Sequence, residues 1–465
     1  MSLIKSISGI RGTIGGKAGD SLSPLDVVKF TAAYGAWLKT TGNASKVIIG
    51  RDARPSGELI SRIVASTLQS LGFDVIDLGL TTTPTVEIAI PLEEAAGGIV
   101  ITASHNPIQW NALKLLNNKG EFISEEEGGY ILELSVKKDI QFVDVKKLGQ
   151  YSTDDTYLEK HIEAILNLPL VNKKAIEDRN FKIAIDCVNS SGSIAVPMLL
   201  EALGVKRITK YYCEPNGSFP HNPEPLPENL THISNEVAKG NFDLGIVVDP
   251  DVDRLCFVNE DGSMFGEEYT LVTVADYILK NTPGPTVSNL SSTKALKDIT
   301  KKAGQEYFSS AVGEVNVVKT MKEQGAVIGG EGNGGIIYPE LHYGRDALVG
   351  IALFLSHLAA FGKSISMLRS KYPSYHISKN KIELTPDINV DQVLEEIKNK
   401  YKKQPINTID GIKIEFDNDW VHLRKSNTEP IIRIYSESDT HATSDHLANK
   451  LIADIKEIIS RHVFL

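Results

Sequence analysis

Short apolar runs alternate with helix-like segments along most of the chain, and this alternation constrains the fold more than any other feature. Val47-Ile-Ile-Gly50 is one such run, and apolar residues follow it at positions 60, 63, 64, 68 and 71, the spacing of one buried helical face. The same order recurs from Phe181-Lys-Ile-Ala-Ile-Asp186 and from Thr286-Val-Ser-Asn289. Because apolar runs between helices form strands covered on both faces, the pattern predicts three similar α/β domains with parallel or mixed sheets.

The C-terminal part of the chain departs from this pattern. A lysine-rich helical segment at about 390–402 precedes three strand-like runs, and Asp417-Asn-Asp419 has the composition of a hairpin turn between two of them. A long helical segment follows, so this order predicts a smaller α+β domain with an antiparallel sheet. We therefore predict an α/β fold class with a polar junction near 150–180 and domains at residues 1–150, 151–256, 257–370 and 371–465.

The composition and charge exclude several classes of protein. Of the 465 residues, 42% are hydrophobic and 23% are charged, close to the globular average, which excludes a collagen or a disordered chain. The 49 basic and 59 acidic residues give a net charge of −10, so we expect no nucleic-acid partner. Three widely spaced cysteines form no zinc motif and indicate a reducing compartment. Without a signal-like N-terminus or an apolar run near the ~18 residues of a membrane span, we expect a cytoplasmic protein with no membrane partner.

An acidic loop directly follows the apolar run that ends in Ile246-Val-Val248. Asp249-Pro-Asp-Val-Asp-Arg254 places carboxylates at alternate positions, and these converge only if the chain curls around a positive charge. Oxygen-only ligands favour Mg²⁺ or Ca²⁺ over zinc. An EF-hand does not fit, since Arg254 stands where that loop needs glycine. The alternative is a solvated acidic turn, but the carboxyl end of a strand is where α/β proteins bind ligands.

A second polar loop, Thr102-Ala-Ser-His-Asn-Pro107, also follows an apolar run. Ser104 is a candidate nucleophile there, and a serine hydroxyl needs a base or a metal to become reactive. His105 and the acidic loop are candidates for that role, and the alternative is an ordinary polar turn. No Gly-x-Ser-x-Gly elbow occurs in the sequence, so a hydrolase triad has no support.

The segment Gly330-Glu-Gly-Asn-Gly-Gly335 matches the G-x-G-x-x-G pattern but not its context. Dinucleotide binding requires a helix after the glycine turn, whereas Ile336-Ile-Tyr-Pro339 does not begin one. The loop still offers the carboxylate of Glu331 and the amide of Asn333, groups that suit the hydroxyls of a sugar. The alternative is a flexible turn.

Basic and hydroxyl residues cluster in Arg424-Lys-Ser-Asn-Thr-Glu-Pro430, which connects two predicted strands, and Arg433 follows. Short donors at Ser426, Asn427 and Thr428 combine there with guanidinium groups, which bind phosphate through paired hydrogen bonds. The alternative is an exposed strand connection. No Walker A motif occurs, so nucleoside triphosphate chemistry has no support.

Taken together, these four loops resemble those of the α-D-phosphohexomutase superfamily. In chain order they look like its phosphoserine, metal, sugar-specificity and phosphate-binding loops, one in each predicted domain, across nearly the whole chain. Ser8-Gly-Ile-Arg-Gly12 and Gly50-Arg-Asp-Ala-Arg54 also resemble the family's N-terminal segments. The resemblance implies four domains around a central cleft. It also implies transfer of phosphate between O6 and O1 of a hexose through a phosphoserine and a 1,6-bisphosphate intermediate.

The resemblance implies a role for each matching residue. The implied ligands of Mg²⁺ are a phosphate oxygen on Ser104, Asp249, Asp251 and Asp253. Further catalytic residues implied by the match are His105, Arg254, Arg11 and Lys114, the last as a candidate proton shuttle. The residues expected to bind substrate are Glu331 and Asn333 at the sugar, and Arg424, Ser426, Asn427, Thr428 and Arg433 at the non-reacting phosphate. The expected cofactors are Mg²⁺ and a hexose 1,6-bisphosphate activator, and the expected partner is a phosphosugar substrate.

Two departures from the family pattern bear on the sugar. Asn333 stands where many relatives carry serine, and Trp110-Asn-Ala112 stands where relatives often have an aromatic residue followed by Asn-Gly. Asn333 and the Arg-Lys-Ser opening of the fourth loop are similar to phosphoglucosamine mutases. We therefore expect conversion of glucosamine 6-phosphate to glucosamine 1-phosphate, with phosphomannomutase/phosphoglucomutase activity as the alternative.

Two hypotheses of another class stay open at this point. A metal-dependent sugar phosphatase would hydrolyse a Ser104 phosphoenzyme and release inorganic phosphate. A catalytically dead sensor would bind a sugar bisphosphate without reacting. The expected assembly is a monomer or a homodimer.

Overall fold

A mixed sheet forms the centre of the first domain. The computed structural model describes residues 2–6, 9–137, 139–385, 388–425 and 431–463. The strands of the first sheet are β1 (Ile4–Ser6), β2 (Gly9–Thr13), β3 (Lys46–Arg51), β4 (Asp74–Leu80), β5 (Gly97–Ile101), β6 (Trp110–Leu116) and β7 (Tyr151–Thr153). Their order is β1-β2-β6-β5-β3-β4-β7, and the pairs among β5, β3, β4 and β7 are parallel.

Helices cover both faces of this first sheet. They are α1 (Pro24–Thr41), α2 (Gly57–Ser70), α3 (Thr83–Leu92) and α4 (Glu125–Val136). Successive residues of β3 enter different cores, because side chains alternate across a strand. Val47 and Ile49 pack with α1, α2 and α4, whereas Ile48 packs with α3. This burial on two sides explains why the strands read as continuous apolar runs.

The second and third domains share one hydrophobic core. The second contains α5 (Tyr157–Leu166), α6 (Lys173–Arg179), β8 (Lys182–Asp186), α7 (Gly192–Ala202), β9 (Arg207–Tyr211), α8 (Thr231–Gly240), β10 (Leu244–Val248) and β11 (Leu255–Asn259). The third contains α9 (Glu267–Asn281), β12 (Thr286–Asn289), α10 (Ala295–Lys302), β13 (Tyr307–Ser310), α11 (Glu314–Gln324), β14 (Ile328–Glu331), β15 (Gly335–Ile337), α12 (Ala347–Phe361) and α13 (Ile365–Arg369). Helix α12 is buried at every residue from Ala347 to Ala359 and packs in one cluster with residues of both sheets.

The fourth domain has an antiparallel sheet with helices packed against it. Its elements are β16 (His376–Glu383), α14 (Val390–Lys400), β17 (Ile406–Asn407), β18 (Ile412–Glu415), β19 (Trp420–Lys425), β20 (Ile431–Ser438) and α15 (His441–Val463). The strand order is β16-β20-β19-β18-β17. Apolar residues of α14 and α15 pack in one core with alternate residues of the strands, so this domain is stabilised separately from the other three.

The chemically interesting loops occupy equivalent positions in the three α/β sheets. In each sheet one parallel strand is followed directly by an antiparallel partner, as in the pairs β5–β6, β10–β11 and β14–β15. The connections within these pairs form the serine loop (residues 102–107), the acidic loop (249–254) and the centre of the glycine loop (330–335). They lie at the carboxyl ends of β5, β10 and β14, where open α/β sheets bind ligands.

The predicted fold class is confirmed, and the structure corrects details of the predicted limits. Residues 151–153 form β7 of the first sheet, and the limit predicted at 256 falls inside β11, which pairs with β10 of the same domain. The stretch predicted as a polar junction contains helices α5 and α6. Strands β16 and β17 were not predicted, because β16 is a polar strand at the sheet edge and β17 is only two residues long. Within the described ranges, no helix is long and apolar enough to cross a bilayer.

Candidate active site

The acidic loop curls so that its three carboxylates meet. Oδ1 of Asp249 accepts backbone N–H groups from Asp253 and Arg254, both at 3.1 Å, which closes the loop on itself. Val252 has a φ of 64°, a costly conformation for a β-branched residue. Asp249, Asp251 and Asp253 are fully buried, and one oxygen of each lies within 4.8 Å of the others.

These carboxylates fit a divalent cation. The Oδ1 atoms of Asp251 and Asp253 are buried without a hydrogen-bond partner among the described residues. A buried carboxylate oxygen without a partner is costly, and oxygen ligands suit Mg²⁺ or Ca²⁺. Burial and then the charges of Asp253 and Asp251 raise the pKa of Asp249 well above its ordinary range. A bound cation would relieve this repulsion, and Asp249, Asp251 and Asp253 are the residues that would hold it.

The serine loop faces the acidic loop directly. Ser104, just after β5, adopts a left-handed φ of 47°, and its backbone N–H is held by Thr102 Oγ1 at 2.9 Å. Ser104 Oγ donates a hydrogen bond to Asp249 Oδ2 at 2.6 Å. Nδ1 of His105 lies 3.4 Å from the same Oγ. The sequence-predicted nucleophile and metal loop therefore share one site, although 145 positions separate Ser104 from Asp249.

A buried arginine, which sequence reasoning did not single out as a site residue, shapes the serine loop. Arg54 is 1% exposed, and its Nε pairs with Asp52 Oδ2 at 3.0 Å. Thr102 donates to the same Asp52 oxygen at 2.6 Å. The remaining guanidinium N–H groups donate to the loop carbonyls of Ser104, Asn106, Pro107 and Trp110. The sequence signal for it was the segment Gly50-Arg-Asp-Ala-Arg54, which resembles a family segment and lies at the end of β3.

The predicted proton shuttle is held as a cation in this arrangement. Lys114 on β6 donates from Nζ to Asp251 Oδ2 at 2.6 Å and to Asp253 Oδ2 at 3.0 Å. Burial opposes the charged ammonium, but the two carboxylates outweigh it and raise the pKa of Lys114. In contrast, desolvation and then the charge of Arg254 lower the pKa of His105 well below its ordinary value. The neutral group beside Ser104 is therefore the imidazole of His105.

Arginines from three domains lie near one another. Arg254 follows the acidic loop, and its Nη1 pairs with Glu224 Oε1 at 3.0 Å. Desolvation and then the charges of Arg254 and Arg433 lower the pKa of Arg11. Guanidinium groups from the first, second and fourth domains are thus close enough to repel one another. A phosphate group placed between them would remove that repulsion.

The third-domain loop is a hairpin turn whose carboxylate is already engaged. Glu331 Oε1 accepts from Asn289 Nδ2 at 2.9 Å and from the Gly313 N–H at 3.0 Å. Glu331 Oε2 accepts from Arg345 Nη1 at 3.0 Å. Asn333 is half-buried, and its Oδ1 accepts the N–H of Gly335 at 3.2 Å within the turn. Strand β15 follows rather than a helix, as predicted from the motif's context.

The fourth-domain residues lie on neighbouring strands. Arg424 of β19 stands directly opposite Arg433 of β20, and Arg433 is exposed. Arg424 Nε lies 2.7 Å from Asp410 Oδ2. The predicted phosphate-binding residues Ser426, Asn427 and Thr428 lie outside the described residues.

Family models match the four domains in turn. The matched descriptions are phosphoglucomutase/phosphomannomutase domain I at residues 3–140, domain II at 159–262, domain III at 266–375 and the C-terminal domain at 381–453. The chain belongs to the phosphoglucomutase/phosphomannomutase family. The resemblance to the α-D-phosphohexomutase superfamily is thereby confirmed, and the protein is a mutase, an enzyme of the isomerase class.

Relatives with full-length similarity carry names from this superfamily. A phosphoglucomutase/phosphomannomutase of Thermococcus kodakarensis is 37% identical over 434 residues, covering 92% of this chain and 94% of the relative. A phosphoglucosamine/phosphogalactosamine mutase of Sulfurisphaera tokodaii is 30% identical over 470 residues, covering 99% of each. Among solved structures, a phosphoglucomutase/phosphomannomutase family protein from Burkholderia thailandensis shares the fold, with a TM-score of 0.84, 24% identity and 98% of both chains covered.

One residue central to this phosphohexomutase site was not found by sequence reasoning. Arg345, just before α12, donates from Nη2 to Asp253 Oδ2 at 2.7 Å and from Nε to Glu314 Oε2 at 2.9 Å. It belongs to no motif that the sequence displays. The available signal was an isolated Arg-Asp pair between a glycine and an apolar helix, where Asp346 caps α12.

Proposed function

We propose that this mutase interconverts hexose 6-phosphates and hexose 1-phosphates, with Ser104 as the carrier of the phosphoryl group. The observation that carries the proposal is the 2.6 Å contact between Ser104 Oγ and Asp249, at the point where three buried carboxylates converge. A nucleophile beside a cation site is the arrangement that phosphoryl transfer requires.

In the first half-reaction, the phosphoryl group of phosphorylated Ser104 passes to the free O1 hydroxyl of a hexose 6-phosphate. The bond from phosphorus to Oγ breaks and the bond from phosphorus to O1 forms, while the O1 hydroxyl loses its proton and Oγ gains one. His105 suits the proton exchange at Oγ, since its imidazole is neutral and its Nδ1 lies 3.4 Å from Oγ. The product is a hexose 1,6-bisphosphate.

In the second half-reaction, the bisphosphate turns over and Ser104 takes back the phosphoryl group from O6. The bond from phosphorus to O6 breaks and the bond from phosphorus to Oγ forms again. Oγ loses its proton, O6 gains one, and the hexose 1-phosphate leaves. Because the two steps mirror each other, a hexose 1,6-bisphosphate would also phosphorylate a resting enzyme.

The charged residues around Ser104 have separate electrostatic roles. Mg²⁺ held by Asp249, Asp251, Asp253 and the serine phosphate would supply positive charge to the phosphoryl oxygens. Arg254 and Arg11 lie close enough for their charges to repel, and both are assigned to the phosphate that is being transferred. Arg54 keeps the Ser104 loop in its strained conformation throughout.

The non-reacting phosphate is assigned to the fourth domain. Arg424 and Arg433 lie side by side on β19 and β20, and Ser426, Asn427 and Thr428 complete this part of the proposal. A fixed site for one phosphate lets either end of the hexose be presented to the same reacting serine. Asn333, half-buried in the third-domain turn, and Glu331 are assigned to the sugar hydroxyls, with one lone pair of Glu331 Oε2 still available.

Glucosamine 6-phosphate is the proposed substrate, and the relative from Sulfurisphaera tokodaii carries the name phosphoglucosamine/phosphogalactosamine mutase. Mannose and glucose phosphates are the second candidates, since the relative from Thermococcus kodakarensis is named phosphoglucomutase/phosphomannomutase. One panel decides between them: the enzyme with Mg²⁺ is given the 6-phosphates of glucosamine, glucose, mannose and N-acetylglucosamine, and each 1-phosphate is measured. We expect the highest kcat/KM for glucosamine.

Two further measurements test the reaction class. Release of inorganic phosphate in place of hexose 1-phosphate would identify a sugar phosphatase. Intact-protein mass after treatment with glucose 1,6-bisphosphate should show one phosphate adduct that maps to Ser104, and its absence would favour a sugar-bisphosphate sensor. The proposal includes a cytoplasmic monomer or homodimer, to be checked by cell fractionation and light scattering.

A further inference from the structure

Arg345 connects the acidic loop of the second domain to the glycine loop of the third. Its Nη2 donates to Asp253 Oδ2 at 2.7 Å, and its Nη1 donates to Glu331 Oε2 at 3.0 Å. Glu314, at the start of α11, accepts from the Arg345 Nε at 2.9 Å and from its backbone N–H at 3.1 Å. One planar guanidinium therefore binds carboxylates from three separate segments of the chain.

The chain leaves space for this side chain at Gly335. A Cβ at that position would lie 2.3 Å from Cδ and 3.0 Å from Cγ of Arg345, which is closer than such atoms approach. Gly335 does not have a positive φ, so its backbone conformation would accept other residues. The space taken by Arg345 thus accounts for the glycine. Gly335, the first residue of β15, has no side chain at the point where Arg345 packs against it.

The contacts of Asp253 show how Arg345 orients this carboxylate. Asp253 Oδ2 accepts from both Arg345 and Lys114, the latter at 3.0 Å, whereas Oδ1 has no hydrogen-bond partner in the described part of the chain. Two cations on one oxygen fix the plane of the carboxylate. The other oxygen is thereby left for the cation that the acidic loop would hold.

The contacts of Glu331 form the other half of the connection. Its Oε1 is held by Asn289 and by the Gly313 N–H, so the carboxylate cannot rotate without breaking bonds to the body of the third domain. A guanidinium presents its N–H groups in a rigid fork, unlike the flexible point charge of a lysine. Arg345 therefore sets both the distance and the orientation between Asp253 and Glu331.

We propose that Arg345 is a positioning residue of the mutase reaction, which holds the cation ligand Asp253 and the sugar-loop residue Glu331 in one fixed geometry. The proposal rests on the function proposed above. Arg345 is not required to touch the substrate. It acts through Asp253 on the cation and through Glu331 on the sugar loop, with Glu314 as the carboxylate that orients it.

The main test is Arg345→Lys, which keeps the charge and removes the fork. We expect kcat to fall about 100-fold, the size of effect that a misplacement of about 1 Å produces. We expect the KM for the hexose phosphate to change much less, because Arg345 does not bind it. Titration calorimetry with MgCl₂ on the resting protein should show affinity for Mg²⁺ about 10-fold weaker, as for other residues that orient metal ligands.

Two other variants test the same geometry without altering Arg345. Gly335→Ala pushes against Cδ of Arg345, and Glu314→Gln weakens its orienting ion pair. Both should show the same pattern at smaller size, with kcat and Mg²⁺ affinity reduced together. These variants keep the proposal testable if Arg345→Lys fails to fold.

A matched control is available in Arg369→Lys. Arg369 donates from Nε to the carbonyl of Phe265 at 3.1 Å, and its guanidinium lies 3.3 Å from the Tyr269 ring centroid. This variant should lose thermal stability and keep the kcat, KM and Mg²⁺ affinity of the wild type. A lower melting temperature alone therefore does not count as support for Arg345.

Unchanged kcat and Mg²⁺ affinity in folded Arg345→Lys, Gly335→Ala and Glu314→Gln would overturn the proposal. Failure of the proposed function has a different signature. In that case the wild type shows no mutase activity with any hexose phosphate. The Mg²⁺ affinities of the wild type and the variants, measured by calorimetry, would still show whether Arg345 positions Asp253.

Discussion

The acidic loop and the arginine pair of the fourth domain hold their charged groups in different ways. At the acidic loop, Asp251 and Asp253 are fully buried and receive Lys114 and Arg345 from other domains. In the fourth domain, Arg424 is half-buried beside Asp410, and Arg433 is exposed. Removing one partner from a buried ion pair is strongly destabilising, whereas exposed pairs contribute little. Under the proposed function, the buried acidic-loop region is a rigid end for chemistry, and the arginine pair is a solvent-accessible end that captures phosphate.

The serine loop belongs to the rigid end by the same criteria. Ser104 is 7% exposed, and Arg54 holds its carbonyl at 2.5 Å. Substitutions at the rigid end should therefore change kcat and cation binding. Substitutions at the capture end should change KM. The following predictions test that division, beginning with the largest effect.

Ser104→Ala should lower turnover by more than about 1,000-fold, because the covalent carrier of the phosphoryl group is lost. The measurement is hexose 1-phosphate formation, with intact mass to confirm that no phosphate is taken up. Ser66→Ala on the exposed side of α2 is the control and should retain full activity. A Ser104→Ala protein with near-normal turnover would exclude the phosphoenzyme.

Asp251→Asn should reduce kcat by about 100-fold or more and remove most of the Mg²⁺ dependence, since a neutral amide is a poor ligand for a hard cation. Calorimetric titration of Mg²⁺ provides the readout that is independent of turnover. Asp298→Asn on α10 keeps an acceptor for Tyr375 and should leave the titration unchanged. An unaltered Mg²⁺ isotherm for Asp251→Asn would contradict the assignment of this loop.

Arg424→Ala should raise the KM for the hexose phosphate about 10- to 100-fold, the equivalent of losing one charge-assisted hydrogen bond. The kcat and the Mg²⁺ affinity should stay within a few-fold of the wild type. Lys425→Ala, which removes an exposed pair with Asp391, is the neighbouring control. Equal loss of metal and substrate binding would show that the two ends are not separate.

The contact between the fourth and third domains should become less stable at low pH, because it includes His422. Its ring contacts Ser291 Oγ at 2.9 Å and the Asp410 carbonyl at 2.6 Å, and desolvation lowers the pKa of His422 to about 4. The folded state then binds fewer protons than the unfolded state, whose histidine pKa is about 6.5, so stability falls as pH decreases from about 6.5 to 4.

The expected loss of unfolding free energy over that range is at most about 3 kcal/mol. Urea unfolding of the wild type and of His422→Gln at several pH values measures it. The glutamine variant should be less stable at pH 7 and should lack this part of the acid sensitivity. Parallel pH profiles for the two proteins would show that His422 does not titrate in this way.

The sequence was informative where local patterns decide structure. The apolar runs before Ser104, Asp249 and Gly330 predicted strands, and the carboxyl ends of such strands are where α/β sheets bind ligands. These three strands lie in separate sheets, so the meeting of their loops was implied only by the family resemblance. The antiparallel sheet of the fourth domain was predicted from its hairpin turn. The polar edge strand β16 was missed because its side chains alternate only weakly between buried and exposed positions.

The sequence patterns did not predict which side chains from distant segments contact one another. Arg345 meets Asp253 across 92 positions, and Arg54 meets the carbonyl of Ser104 across 50. A buried arginine and an exposed one look identical in a sequence without repeats or spacing rules. The engaged state of Glu331 was hidden for the same reason, since its partners lie on three other segments.

Helix α12 has a consequence for how the cleft opens. Because every residue from Ala347 to Ala359 is buried in a core that both neighbouring domains build, the second and third domains cannot separate without exposing that helix to water. The second and third domains therefore form a single rigid block. Under the proposed function, the fourth domain, which has its own core, is the part that would move against this block to admit and release substrate.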